Sequence, residues 1–299
     1  MSRHISATAA LRKRALAAAL CLAGLAWAQS VQAGSFTTTY RNGSNCSSTY
    51  NIKGVEPDDG NRHPVFLYFV GTSEQYDNAS AMAAVRQMTA KGFVAATVQY
   101  PNATFGHCGT LGERASCAFD ASSAYSAITQ LCSRAAADCS KGVVVGGFSQ
   151  GSIIATLAKN YDDRVVAAWG MGTHITYAVY NLAACMADGQ HRLPSSRLRI
   201  VNGELDYYGG DVPAGRNQAQ QVTGRPCASN EYHCLGPDGS GFRVVRNVEV
   251  QDGQADHCYM RATGACRSGQ DRNDPGWESG SEDWGLPAAL NWLNQFVSH

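Results

Sequence analysis

An excess of either charge is missing from this sequence, in which 24 lysines and arginines stand against 24 aspartates and glutamates. No global field would gather nucleic acid or an anionic membrane surface, and neither is expected as a partner. Beyond the first thirty-odd residues there is also no apolar run approaching the about 20 residues that a membrane span requires, so integral membrane association is not expected. Paired C-x2-C spacings and calcium-loop spacings are absent too. Asp58, Asp59, Asp271 and Asp274 lie in loop contexts and read as turn carboxylates. No metal and no cofactor is expected.

What the chain has is apolar material and cysteine. Hydrophobic residues make up 44% of its 299 positions, enough to bury a large core. At the N-terminus, basic Arg3, Arg12, Lys13 and Arg14 precede an apolar run from Ala15 to Ala28, and Val31-Gln32-Ala33 stands before Gly34. This is the pattern of a secretory signal over 1–33, with cleavage after Ala33, a single domain over 34–299, and a secreted or periplasmic location. Cys21 is not read as a lipid anchor, because Leu20 stands where a lipobox needs a small residue.

Removing Cys21 from the 11 cysteines leaves ten, an even count that implies disulfides in an exported chain. Sequence proximity suggests the local pairs 108/117, 132/139, 227/234 and 258/266, which leaves Cys46 and Cys185 for a long-range bridge.

Strand-like and helix-like segments alternate. VFLYFV from Val65 to Val70 reads as a strand buried on both faces, and FVAATVQY from Phe93 to Tyr100 as a second strand. Val143-Val144-Val145, Arg164–Gly170, Leu198–Asn202 and Phe242–Val250 read as further strands. Apolar residues recur at three- and four-residue spacing over 78–91, 119–132, 153–158 and 286–297, which reads as helix. Alternation over more than 200 residues predicts an α/β fold: a mostly parallel sheet flanked by helices on both faces, with disulfide-stabilised loops. The polar, glycine-rich stretches 173–196, 211–241 and 267–285 read as loops or insertions within one domain.

Gly147-Phe148-Ser149-Gln150-Gly151 sits between a buried-type strand and an amphipathic helix, the setting of a nucleophile elbow. The sharp turn requires nearly absent side chains two residues either side of Ser149, and glycines stand there. A serine hydroxyl is a weak nucleophile at neutral pH. It needs a histidine to take its proton and a carboxylate to orient that histidine. Asp206 follows a late strand, with Glu204 and Asp211 as rivals, and His257 lies in the loop after the last strand. His174, His191, His233 and His299 read as surface histidines.

With those residues in the order serine, acid, histidine, the sequence resembles the α/β-hydrolase superfamily from about Pro64 to the C-terminal helix. GFSQG is similar to the elbows of carboxylesterases, acyl-protein thioesterases and cutinases. The resemblance implies two-step acyl transfer from an ester, small or polymeric, by Ser149, His257 and Asp206. It also implies an oxyanion hole made by the N–H of Gln150 and a second donor in the loop VGTSEQYD, assigned to Thr72 with Gly71 and Ser73 as rivals. Thr72 offers a hydroxyl besides. Trp169, Met171, His174, Tyr177, Tyr207 and Tyr208 are candidates to line an acyl or aromatic pocket. A binding protein without turnover and a serine peptidase are the alternatives on the same scaffold.

Overall fold

The computed structural model describes residues 33–41, 46–206, 208, 212–261 and 273–299. The segment read as a signal, apart from Ala33, lies outside them, as do Tyr207, Asp211 and Cys266. The strands are β1 (Ala33–Tyr40), β2 (Tyr50–Pro57), β3 (Val65–Phe69), β4 (Val94–Val98), β5 (Val143–Phe148), β6 (Val165–Met171), β7 (Thr176–Tyr177), β8 (Tyr180–Asn181), β9 (Leu198–Gly203), β10 (His233–Leu235) and β11 (Gly241–Val245). The helices are α1 (Ala79–Thr89), α2 (Cys108–Phe119), α3 (Ala127–Cys132), α4 (Gln150–Leu157), α5 (Ala183–Met186), α6 (Val212–Thr223), α7 (Pro275–Ser279) and α8 (Leu286–Asn294).

Nine strands form one sheet in the order β1-β2-β4-β3-β5-β6-β9-β11-β10, parallel from β4 through β11 and antiparallel at both margins. Every residue of β3, β4 and β5 is buried, as continuous runs of Val, Phe, Tyr and Ala require when helices cover both faces. The reversal of strand order lies beside β5, so the loops leaving the C-terminal ends of β3, β5, β6 and β9 meet over one crevice.

Two helix expectations are corrected. Of the helix read over 119–132 only Ala127–Cys132 forms, because α2 ends at Phe119, where Asp120 accepts the amide and hydroxyl of Ser122. Ser126 then caps α3 by accepting the amide of Thr129. The first of these helices, α2, begins within what reads as a glycine- and cysteine-containing loop; Gly109 and Gly112 weaken its helical signal. Similarly, α6 and β10 lie in a stretch read as loop.

Among the described residues the disulfide pairs are Cys46–Cys117, Cys108–Cys185, Cys132–Cys139 and Cys227–Cys234, and Cys258 is disulfide-bonded as well. The expected 132/139 and 227/234 pairs are present, but 108/117 and 46/185 are replaced by two long-range bridges. Cys108 opens α2 and Cys117 lies near its end, more than two turns away, beyond the reach of a disulfide. Each instead meets a different neighbour, with Cα–Cα distances of 5.8 Å in both bridges.

Candidate active site

The turn between β5 and α4 carries Ser149 at φ 53° and ψ −121°, a strained conformation for a residue with a side chain. Its amide donates to Met171 O at 2.7 Å and its carbonyl accepts from Ser152 Oγ at 2.6 Å, which fixes the turn. The flanking glycines are demanded by close approach. A methyl on Gly147 would lie 2.2 Å from Gly151 O, and one on Gly151 would lie 2.2 Å from Phe69 O. The helix start is thus pressed directly onto the end of β3.

His257 stands in the loop after β11, as expected, and Asp206 in the loop after β9. The Nδ1 of His257 lies 2.9 and 3.0 Å from the two oxygens of Asp206. A carboxylate only accepts, so Nδ1 carries the proton and Nε2 is left with its lone pair. Both side chains are buried, with 8% and 4% of their surfaces exposed. The imidazole packs against the residues flanking Ser149. Its centroid is 4.9 Å from the Phe148 ring, and a methyl on Gly172, which follows the Met171 that holds Ser149, would come within 2.7 Å of its Cε1. The rival Glu204 is engaged elsewhere, accepting the amide of Asn247 at 2.9 Å.

In the loop after β3, Gly71, Thr72 and Ser73 differ in what their N–H groups already bind. Gly71 N–H donates to Glu74 Oε2 at 2.8 Å, and Ser73 N–H donates to Asn102 O at 2.8 Å. The N–H of Thr72 has no partner among the described residues, nor has that of Gln150, which as the first residue of α4 has no carbonyl within the helix to reach. Gly71 sits against Ser149, since a methyl there would be 3.1 Å from Ser149 Cβ.

The side chain of Gln150 explains its place in GFSQG. Buried, it donates from Nε2 to Thr72 Oγ1 at 2.8 Å and to Thr104 O at 3.1 Å. Its Oε1 accepts from Arg114 Nη1 at 2.5 Å, and the same nitrogen donates to Thr104 O at 2.8 Å. Thr72 Oγ1 therefore accepts, and its own O–H is left to donate outward. Burial lowers the affinity of Arg114 for its proton, though the guanidinium stays charged. Arg114, in a segment read as loop, is invisible to motif reading.

His174 and His191 correct the surface assignment, being 1% and 6% exposed, whereas His233 and His299 are exposed as expected. His174 Nδ1 lies 3.2 Å from Gly172 O and so carries the proton, while its Nε2 is buried with no partner. Burial first, and the nearby His257 second, push its pKa down to about 4, so it is neutral beside His257 near pH 7. Tyr177 and Tyr208 lie in the same cluster, both half-buried. Trp169 and Met171 point into the core instead: Trp169 packs on Tyr68, and Met171 Sδ accepts from Trp277 Nε1 at 3.1 Å. Asp274 caps α7 and Asp59 binds His63, as turn carboxylates do.

No protein-family model and no curated protein matches the sequence. Among solved structures, the chain is similar to a bacterial heroin esterase with TM-score 0.53, 16% identity, 97% of this chain and 92% of that one covered. It is likewise similar to an S-formylglutathione hydrolase from Agrobacterium tumefaciens with TM-score 0.55, 11% identity, 90% of this chain and 97% of that one covered. It spans about half, 47%, of the length of the esterase Est22, over 50% of its own, with 15% identity and a TM-score of 0.40. At such identities the full-length matches establish architecture alone, and they agree with the sheet order and elbow described above: the chain has the α/β-hydrolase fold.

Proposed function

We propose that the protein is a serine carboxylic ester hydrolase acting through an acyl-enzyme, with Ser149 as nucleophile, His257 as general base and acid, and Asp206 as the group that orients His257. The observation that carries this reading is the buried Asp206–His257 pair, whose imidazole packs on Phe148, the residue before a serine held at positive φ. As Ser149 Oγ forms its bond to the ester carbonyl carbon, its proton passes to His257 Nε2. The carbonyl oxygen becomes an oxyanion facing the N–H groups of Gln150 and Thr72 and the Thr72 hydroxyl. When the C–O bond to the alcohol breaks, His257 returns the proton to the leaving oxygen. Water, deprotonated by the same nitrogen, then attacks the Ser149 ester, and as its C–O bond breaks that proton passes to Ser149 Oγ and the acid is freed.

Export completes the proposal. The N-terminal segment is removed after Ala33, and the disulfides form in an oxidising compartment outside the cytoplasm. The test of the chemistry is hydrolysis of p-nitrophenyl esters of increasing acyl length by the mature protein and its Ser149→Ala variant. The proposal expects turnover by the wild type and loss of at least about 10³-fold in the variant. Absence of turnover on every ester would make the chain a binding scaffold instead.

A further inference from the structure

Beside His257 stands a wall of aromatic rings gathered from separate loops. From His257 the contacts run to Tyr208 (ring centroids 4.6 Å), on to Tyr177 (5.4 Å), to Phe105 (4.6 Å), to His174 (5.3 Å, stacked at 20°) and back to His257 (6.3 Å). Tyr180, from the other strand of the β7–β8 hairpin, joins at 5.9 Å from Phe105. All these spacings are those of favourable aromatic pairs.

This cluster differs from ring packing in the core. Phe69 contacts Tyr100 at 5.8 Å and Phe119 at 5.5 Å, and the three are 0–2% exposed, so their surfaces are used up. Phe105, Tyr177, Tyr180 and Tyr208 are each only half-buried, and the Tyr208 ring lies against the His257 ring. The wall is also braced. The Cys108–Cys185 bridge ties the segment just after Phe105 to the helix just after Tyr180. Thr104, beside Phe105, is held through its carbonyl by Arg114 and Gln150. Gln218 accepts the amide of Ile175 and donates to Thr176 Oγ1, which holds the base of the hairpin. Beneath lies His174, uncharged near pH 7, so the floor presents no cation to an apolar group.

Building on the hydrolase reading, we propose that this wall is a subsite for an aromatic ring of the substrate, so that the preferred esters carry an aryl group a few bonds from the scissile carbonyl. An aryl ring adds edge-to-face and stacked contacts that a saturated ring of similar area cannot, which amounts to about tenfold or more over several pairs. The apolar area alone would favour both rings equally.

The experiment compares kcat/KM for methyl 3-phenylpropanoate with methyl 3-cyclohexylpropanoate, placing the ring on the acyl side. Benzyl acetate and cyclohexylmethyl acetate place it on the alcohol side, with leaving groups of similar basicity. The expected result is an aryl preference of about tenfold in at least one pair, falling below about threefold in Phe105→Leu and in Tyr177→Leu. Because each ratio is taken within one variant, a general loss of activity does not disturb it, and two variants guard against one that fails to fold. Equal rates for aryl and cyclohexyl esters in both pairs would overturn the subsite, as would a preference that survives both substitutions. Fluorophosphonate labelling on the same preparations separates the two levels. A labelled, active enzyme without aryl preference sinks the subsite alone, whereas an unlabelled protein that hydrolyses none of the four esters sinks the hydrolase reading and the subsite together.

Discussion

Thr72→Val removes one hydroxyl while keeping the shape of the side chain and the backbone N–H beside Ser149. Since Oγ1 already accepts from Gln150 Nε2 at 2.8 Å, the proton of Thr72 is directed away from Gln150, toward whatever sits in the crevice. Losing one oxyanion donor typically lowers kcat by about 10²–10³-fold, or about 2.7–4 kcal/mol. The N–H groups of Gln150 and Thr72 remain, so the lower end, about 100-fold, is expected. KM should move little, because the charge that the hydroxyl meets exists only in the transition state. Folding should change by about 1 kcal/mol or less, since Gln150 Nε2 keeps Thr104 O as an acceptor at 3.1 Å. Steady-state kinetics on a short p-nitrophenyl ester, beside Thr72→Ser, reads the effect, and Thr72→Ser should recover most of the lost kcat. A valine variant with kcat within about threefold of wild type would refute the reasoning and leave the oxyanion to the backbone alone.

Gly151→Ala drives a methyl to 2.2 Å from Phe69 O, so a loss of about 3 kcal/mol or more is expected in urea denaturation. Gly34→Ala, whose methyl meets nothing within 4 Å, should be near neutral in the same assay. Because His174 is held at about 4 when folded, against about 6.5 unfolded, the unfolded chain binds more protons between those values. Stability should therefore fall as pH drops through that window, by up to about 3 kcal/mol from this residue, and His174→Leu should flatten the profile measured by thermal unfolding. Replacing Cys108 and Cys185 together by alanine opens a cross-link spanning 77 residues; the expected cost is up to about 4 kcal/mol, seen as a lower melting temperature.

Most of the parallel sheet was legible because its strands are short continuous runs of Val, Phe, Tyr and Ala, and burial on both faces leaves no other pattern. The elbow was legible because backbone contact at 2.2 Å tolerates glycine only, which writes itself into the sequence at Gly147 and Gly151. The meeting of Asp206 with His257 was legible from their places after strands, whereas nothing local in the sequence records that Glu204 turns instead to the amide of Asn247. What sequence could not give depends on contacts far apart in the chain. Arg114 reaches Gln150 from a helix with weak propensity, and Cys108 and Cys117 are neighbours in sequence but point to different partners. His174 looked like a surface histidine because nothing local records that Phe105, some seventy residues earlier, covers it.

The central claim is that Ser149 is an activated nucleophile. The most direct measurement treats the mature protein with a fluorophosphonate and locates the adduct by peptide mass spectrometry, with Ser149→Ala and His257→Ala alongside. The account predicts one adduct, on Ser149, absent from Ser149→Ala and formed far more slowly in His257→Ala. No adduct on wild-type Ser149, or one formed equally fast without His257, would contradict it.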